Sequence, residues 1–278
     1  MSAVPFSLRR VGLIADNTLR EAARQRLFHF FLLLALALVL GARWLRDFNF
    51  GAPELKFLID CGLGAMGFFG AALTVTATAQ LFFSEIENRT ALTLLAKPVW
   101  RAEFLLGKFA GIAVLIAVFC GLLTALLMAA VWSRERELMA AAPEAFARGS
   151  VVSYTAIGLA GLLQWLKFAV LAAFGLLIAS FAQTQLFTMV MGFLFLVICH
   201  LQYLAQDAYG RAGTILGRVT AALLAAVFPN FQLFALGDVL TGTDVPPAAH
   251  TLRIALYAAG YCAVACGLAI FSFRKREI

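Results

Sequence analysis

The sequence specifies an all-α integral membrane protein with six transmembrane helices, an interfacial helix ahead of the first span, a helical cytoplasmic loop, and a re-entrant helical hairpin before the last span. Three observations carry this reading. Of 278 residues, 63% are hydrophobic and 13% charged, about half the ~25% charged share of a soluble domain. Mean hydropathy is +0.91. The apolar residues also fall in runs free of Asp, Glu, Lys and Arg, several of which reach the ~20 residues that cross a hydrocarbon core. Together these exclude a disordered chain, a disulfide-rich secreted domain and an ordinary cytosolic enzyme. The net charge of +7 points to membrane orientation rather than to nucleic acid, because Lys and Arg collect in cytoplasmic loops. Cys61, Cys120, Cys199, Cys262 and Cys266 all lie in or beside apolar runs, so no disulfide framework is expected.

Taken in order, residues 1–278 read as one transmembrane domain. In segment 5–26, Phe6, Leu8, Val11, Ile14, Leu19, Ala22 and Ala23 alternate with Arg9, Arg10, Asp16, Arg20, Glu21 and Arg24 at helical spacing. A basic amphipathic helix leading into a span belongs at the membrane interface. A long basic region and a poor cleavage site argue against a signal peptide. The first span, 27–44, has an apolar centre just under span length. The second covers 58–83, the third 108–132. Ser133–Leu138 carries both signs of charge and reads as a solvated helical extension. The apolar stretch 149–206 would measure about 87 Å as one helix, so it breaks at its most polar patch, Ser180–Gln185. That gives spans 152–180 and 185–205. In 211–240, Pro229 and Asn230 split the apolar run into pieces too short to cross, which suits a re-entrant hairpin. The last span is 253–273.

Six spans put both termini on one side. Twelve Lys and Arg then lie on that side and nine on the other. The basic clusters at both ends agree, so both termini are expected in the cytoplasm.

The loop 84–107 carries the most information. Leu92, Leu94, Leu95 and Val99 are apolar yet lie beyond the membrane, rimmed by charge. Such a patch marks a docking surface. Pro98 disfavours helical geometry at Lys97 and fixes a corner. Glu-x-Glu-x-Arg-Thr from Glu85 to Thr90, Leu94-Leu-Ala-Lys-Pro-Val-x-Arg101 and Phe104-Leu-Leu-Gly-Lys108 together resemble the coupling loop of type-2 ABC transporter permeases. Thr18–Arg24 is similar to that family's opening interfacial helix, and Phe228–Phe234 with Gly237, Asp238 and Gly242 to the segment before its last span. The likeness covers almost the whole chain. Its nearest branch looks like the permeases of nitrous oxide reductase maturation (copper processing) and gliding motility.

The resemblance implies a permease that pairs with a second permease subunit, as homodimer or heterodimer, and with a separate ABC ATPase. It implies transport, in the export direction, across a bacterial inner membrane. It also implies that the loop inserts into the ATPase. Glu85, Glu87, Arg89, Thr90, Lys97 and Arg101 would form the polar part of that contact, with Leu94, Leu95 and Pro98 its buried core. The chain itself lacks a phosphate-cradling loop. Gly107-Lys108 is followed by Phe109 and has Ala102 where the first glycine is needed, so ATP is expected on the partner. No cofactor, metal, nucleic-acid partner or catalytic group is expected. Membrane lipid is the remaining expected partner.

Lys167 is an isolated cation deep in the fourth span, about 21 Å from its start. Intramembrane charge is costly and functional by default. Lining the pathway and packing as a structural lysine are both open to it. Cys262 and Cys266 sit one turn apart, and Cys199 precedes His200. Soft metals suit such ligands, but two cysteines do not complete a site. His29, His200 and His250 have no activated nucleophile in an appropriate frame. A secondary transporter or a non-transporting membrane scaffold is the alternative class, yet neither intramembrane carboxylates nor a clear internal repeat appears.

Overall fold

A computed structural model of the chain describes residues 6–42, 44, 54–87, 100–141, 152–211, 215–235 and 248–274. Every element among them is helical. Eight α-helices follow in chain order: α1 Leu8–Arg24, α2 Arg26–Ala42, α3 Glu54–Glu87, α4 Arg101–Ala141, α5 Tyr154–Phe181, α6 Gln185–Arg211, α7 Ile215–Val227 and α8 Ala248–Arg274. A short 3₁₀ turn, Phe231–Phe234, lies between α7 and α8.

Five of these helices, α3 to α6 and α8, are each long and apolar enough to cross a membrane. The α1–α2 pair supplies the sixth candidate. It bends by 65° at Gln25, whose extended backbone ends α1 while its N–H donates to Ala22 O. The fold is therefore that of an all-α, multi-pass membrane protein.

Helices α3 and α4 run for 34 and 41 residues, about 51 and 62 Å, against a hydrocarbon core of ~30 Å. Each overhangs the bilayer because its polar flanks remain helical. At one end, Arg134 on α4 meets Glu54 at the start of α3 at 2.6 Å and Glu137 at 2.8 Å, and the Tyr154 hydroxyl donates to Glu135. The expected helical extension over 133–138 is present and solvated at Arg136 and Glu137. The expectation fails at Glu135, which is buried, and in part at Arg134, which is half-buried, because the start of α3 and the start of α5 close over them.

Helix α5 is the hub. It packs against α3, α4, α6 and α8 and is apolar on most of its circumference, as an enclosed helix tends to be, with Gln164 and Lys167 the exceptions in its middle. Its N-terminus is capped by Ser153, whose hydroxyl accepts from the Ala156 N–H. Hydroxyls are satisfied within their own helices: buried Thr74 donates to Gly70 O and buried Thr78 to Thr74 O, and half-buried Thr124 donates to Cys120 O. Apolar surroundings require this of any buried donor. Helix α7 stops at Val227, Pro229 and Asn230 follow, and the 3₁₀ turn packs on α5 and α6. The Tyr257 hydroxyl on α8 accepts from the Asn230 N–H at 2.9 Å.

Candidate functional site

The polar chemistry gathers at the foot of α4, where α1, the end of α3 and the end of α8 converge. It starts from the pattern of α1. Ile14, Thr18 and Ala22, four residues apart, are its buried face and lie along α4. The approach is close because Gly107 and Gly111 of α4 leave room for it. A Cβ added at Gly107 would stand 2.6 Å from the Ile14 Cβ, and one at Gly111 would stand 2.8 Å from the Ala15 carbonyl oxygen. Two glycines four apart give a flat helix surface on which another helix can seat.

Above that seat, Glu103 is wholly buried. One oxygen accepts from the Ser7 N–H at 2.7 Å and from Arg10 Nη2 at 2.7 Å and Nε at 3.1 Å. The other accepts from the Trp100 N–H at 3.1 Å, which is the return half of a capping box for α4. Burial alone would push this carboxyl up. The Ser7 amide, the Arg10 guanidinium and the Trp100 amide outweigh it and hold the group below its ordinary value of 4.5. One carboxylate thus fastens the start of α1 to the start of α4.

A second tie lies one turn on. Lys108, fully buried, places its Nζ 3.7 Å from Glu21 Oε2 of α1 and 6.0 Å from the Phe104 ring centroid. Glu21 also accepts from the Ser84 hydroxyl of α3 at 2.7 Å, so it bridges α3 to α4. A third tie reaches α8: Arg101 Nη1 donates to the Phe273 carbonyl at 3.0 Å, a cation on a helix C-terminus. Phe82, Phe104 and Phe273 fill the space between, the last two stacked at 5.9 Å.

Of the residues singled out in the sequence, Arg101 takes part in this foot. Glu85 and Glu87 stand in the last turn of α3. Arg89, Thr90, Leu94, Leu95, Lys97 and Pro98 lie outside the described residues, in the segment that joins α3 to α4. Lys167 is elsewhere, midway along α5, 7% exposed, with its Nζ 5.2 Å from the Phe168 ring centroid. The joint role of Glu103, Lys108, Arg10, Glu21 and Ser84 emerges only from the packing. The available signal was an acid at the third position of a helix with a long apolar centre, followed by Gly107 and Gly111.

A cavity of about 560 Å³ opens between α4 and α5, lined by Thr124, Met128, Gly161 and Trp165 among others. Among the described residues no three His, Cys, Asp or Glu side chains gather in a way that could hold a metal ion. A family model described as ABC-2 family transporter protein matches residues 13–278. No curated protein matches the chain.

Proposed function

The chain belongs to the ABC-2 family of transporter proteins and so is the membrane permease of an ABC transporter, and we propose that it couples ATP hydrolysis on a separate nucleotide-binding subunit to export across a bacterial inner membrane. In this reading it pairs with a second permease subunit. Both termini face the cytoplasm, α1 lies at the interface, and residues 211–240 form a re-entrant hairpin. The segment 84–107 docks on the ATPase through Leu94, Leu95 and Pro98, with Glu85, Glu87, Arg89, Thr90, Lys97 and Arg101 around them. Lys167 lines the pathway.

The observation that carries the coupling is the foot of α4. The docking segment leaves α3 at Glu87 and enters α4 at Trp100. The residues at that entrance are bonded to α1 through Glu103 and to α8 through Arg101. A push on the segment is therefore delivered to three helices at once, which is how a packed element passes on rigid-body motion.

The test is co-purification. Wild-type permease should bring down its ATPase subunit from membranes in mild detergent. The double substitution Leu94→Asp with Pro98→Asp should lose it while the permease stays folded. An ATPase retained by the double variant would move the docking surface elsewhere. Its absence from wild type, even after cross-linking, would remove the proposed coupling.

A further inference from the structure

The helix broken at the end of α7 is spliced by two tyrosines of α8. Pro229 has no N–H to give and disfavours helical geometry at Phe228, so α7 ends at Val227. In a continuing helix the Ala226 carbonyl would accept from the Asn230 N–H. Here each of the two turns to a tyrosine instead. The Tyr261 hydroxyl donates to the Ala226 carbonyl at 3.2 Å, and the Asn230 N–H donates to the Tyr257 hydroxyl at 2.9 Å. Tyr257 and Tyr261 stand four residues apart on one face of α8, with ring centroids 4.8 Å apart. Both lie within the apolar run of that helix that starts at Ile254.

The strap 226–234 is also wedged by its own aromatic rings. Phe228, Phe231 and Phe234 recur at every third position. Phe228 faces Phe195 of α6 at 5.9 Å, Phe231 meets His200 of α6 edge-on at 5.4 Å, and Phe234 meets Tyr257 of α8 at 6.4 Å. Phe195 in turn stacks on Phe174 of α5, which touches Tyr261. One short stretch of chain thus bridges α6 and α8 where both meet α5. Cys199 lies one turn from Phe195 on the same face of α6 and is fully buried.

We propose that the strap 226–234 is a gate between α6 and α8, latched shut by Tyr257 and Tyr261. Irregular backbone inside a membrane persists only where its polar groups have partners, and two of these partners belong to a different helix. The strap therefore has a second satisfied arrangement. Once the tyrosines let go, the Ala226 carbonyl and the Asn230 N–H are four residues apart and can bond each other. Two arrangements that both satisfy the backbone are what a switch requires. The inference goes beyond ATPase coupling by naming the element that closes the exit. It rests on that reading for the force that opens the gate, and on 211–240 as a re-entrant hairpin for the side it closes. The latch itself is a property of this chain.

The experiment uses the full-length permease in liposomes with whatever ATPase accompanies it. A quaternary-ammonium methanethiosulfonate is added, and peptide mass spectrometry follows labelling of Cys199. Buried Cys266, elsewhere on α8, is the internal control. Without nucleotide, wild-type Cys199 should stay protected. Tyr257→Phe with Tyr261→Phe should label it about tenfold faster or more, since the strap loses both bonds and the Asn230 N–H its partner. Cys266 should not change. ATP turnover should raise wild-type Cys199 labelling severalfold. Equal rates in wild type and the double variant would overturn the latch, as would rapid labelling of nucleotide-free wild type. A parallel rise at Cys266 would mean general loosening and would overturn it too. An unchanged wild-type rate during ATP hydrolysis would make the strap a fixed plug and overturn the gate. If the double variant fails to fold, Tyr261→Phe alone decides, and an unchanged rate there overturns the inference. Should no ATPase co-purify, the coupling falls while the nucleotide-free comparison still decides the latch.

Discussion

Glu103 shows how much one residue decides. Four hydrogen bonds from three donor groups converge on a carboxylate with no solvent exposure. Its pKa in the folded protein lies below the ordinary 4.5. The ionised form is thus favoured by folding. The stability it contributes is fully present above the ordinary carboxylate value and is lost as pH falls through the depressed one. A spin label at Leu13, on the exposed face of α1, should stay immobile in wild type at neutral pH and loosen only in that acid window. Glu103→Gln should loosen α1 already at neutral pH, at a cost of about 1–3 kcal/mol for the lost charge-assisted bonds. A label equally immobile in the variant would deny the carboxylate this role. The sequence did not announce Glu103. A single acid at a helix start is ordinary, and its weight comes from Ser7 and Arg10, more than ninety residues away. Lys167 was legible for the opposite reason: any charge in an apolar run stands out, although its burial within the bundle required the fold.

At the scale of elements, apolar runs were the readable part and their ends were not. The polar patch at Ser180–Gln185 is where α5 stops and α6 starts, since only polar backbone can turn at a membrane surface. The run in α2 is 17 residues long, and its crossing is read together with the bent α1. Arg134 and Glu135 looked solvated because periodicity records a helix but not the neighbours that cover it. The seat of α1 on α4 makes a prediction about an element pair. Gly111→Ala places a Cβ against the backbone at Ala15, where no side chain can yield, so α1 must lift. Melting should show a loss of about 1–3 kcal/mol, as for an overpacked core. Gly12→Ala is the matching control, since nothing lies within 4 Å of its Cβ. It should stabilise α1 by up to ~1 kcal/mol through helix propensity. Equal losses from the two substitutions would mean that α1 does not depend on that seat.

For the molecule as a whole, composition alone separates a membrane protein from a soluble one, and the loop 84–107 carries the family resemblance. Neither tells which helices move together, because that is set by side chains far apart in sequence. The bonds at the foot do tell. Glu103 ties α1 to α4, Glu21 ties α1 to α3 and lies against Lys108 of α4, and Arg101 ties α4 to α8. These ties run among α1, α3, α4 and α8, whereas α6 packs on α3 and α5. The proposed ATPase stroke should therefore move α1 and α4 as one body and shift that body against α6. Paired spin labels can read this. Asp16 on α1, Trp132 near the far end of α4 and Leu201 on α6 are all exposed. Replacing Asp16 costs only a surface ion pair, a minor loss. Between the nucleotide-free and ATP-trapped states of the assembled transporter, the distance from 16 to 132 should hold while the distance from 16 to 201 changes. A changing 16–132 distance would mean that the foot is a hinge, and coupling would then have to run through α3 or α8 without α1.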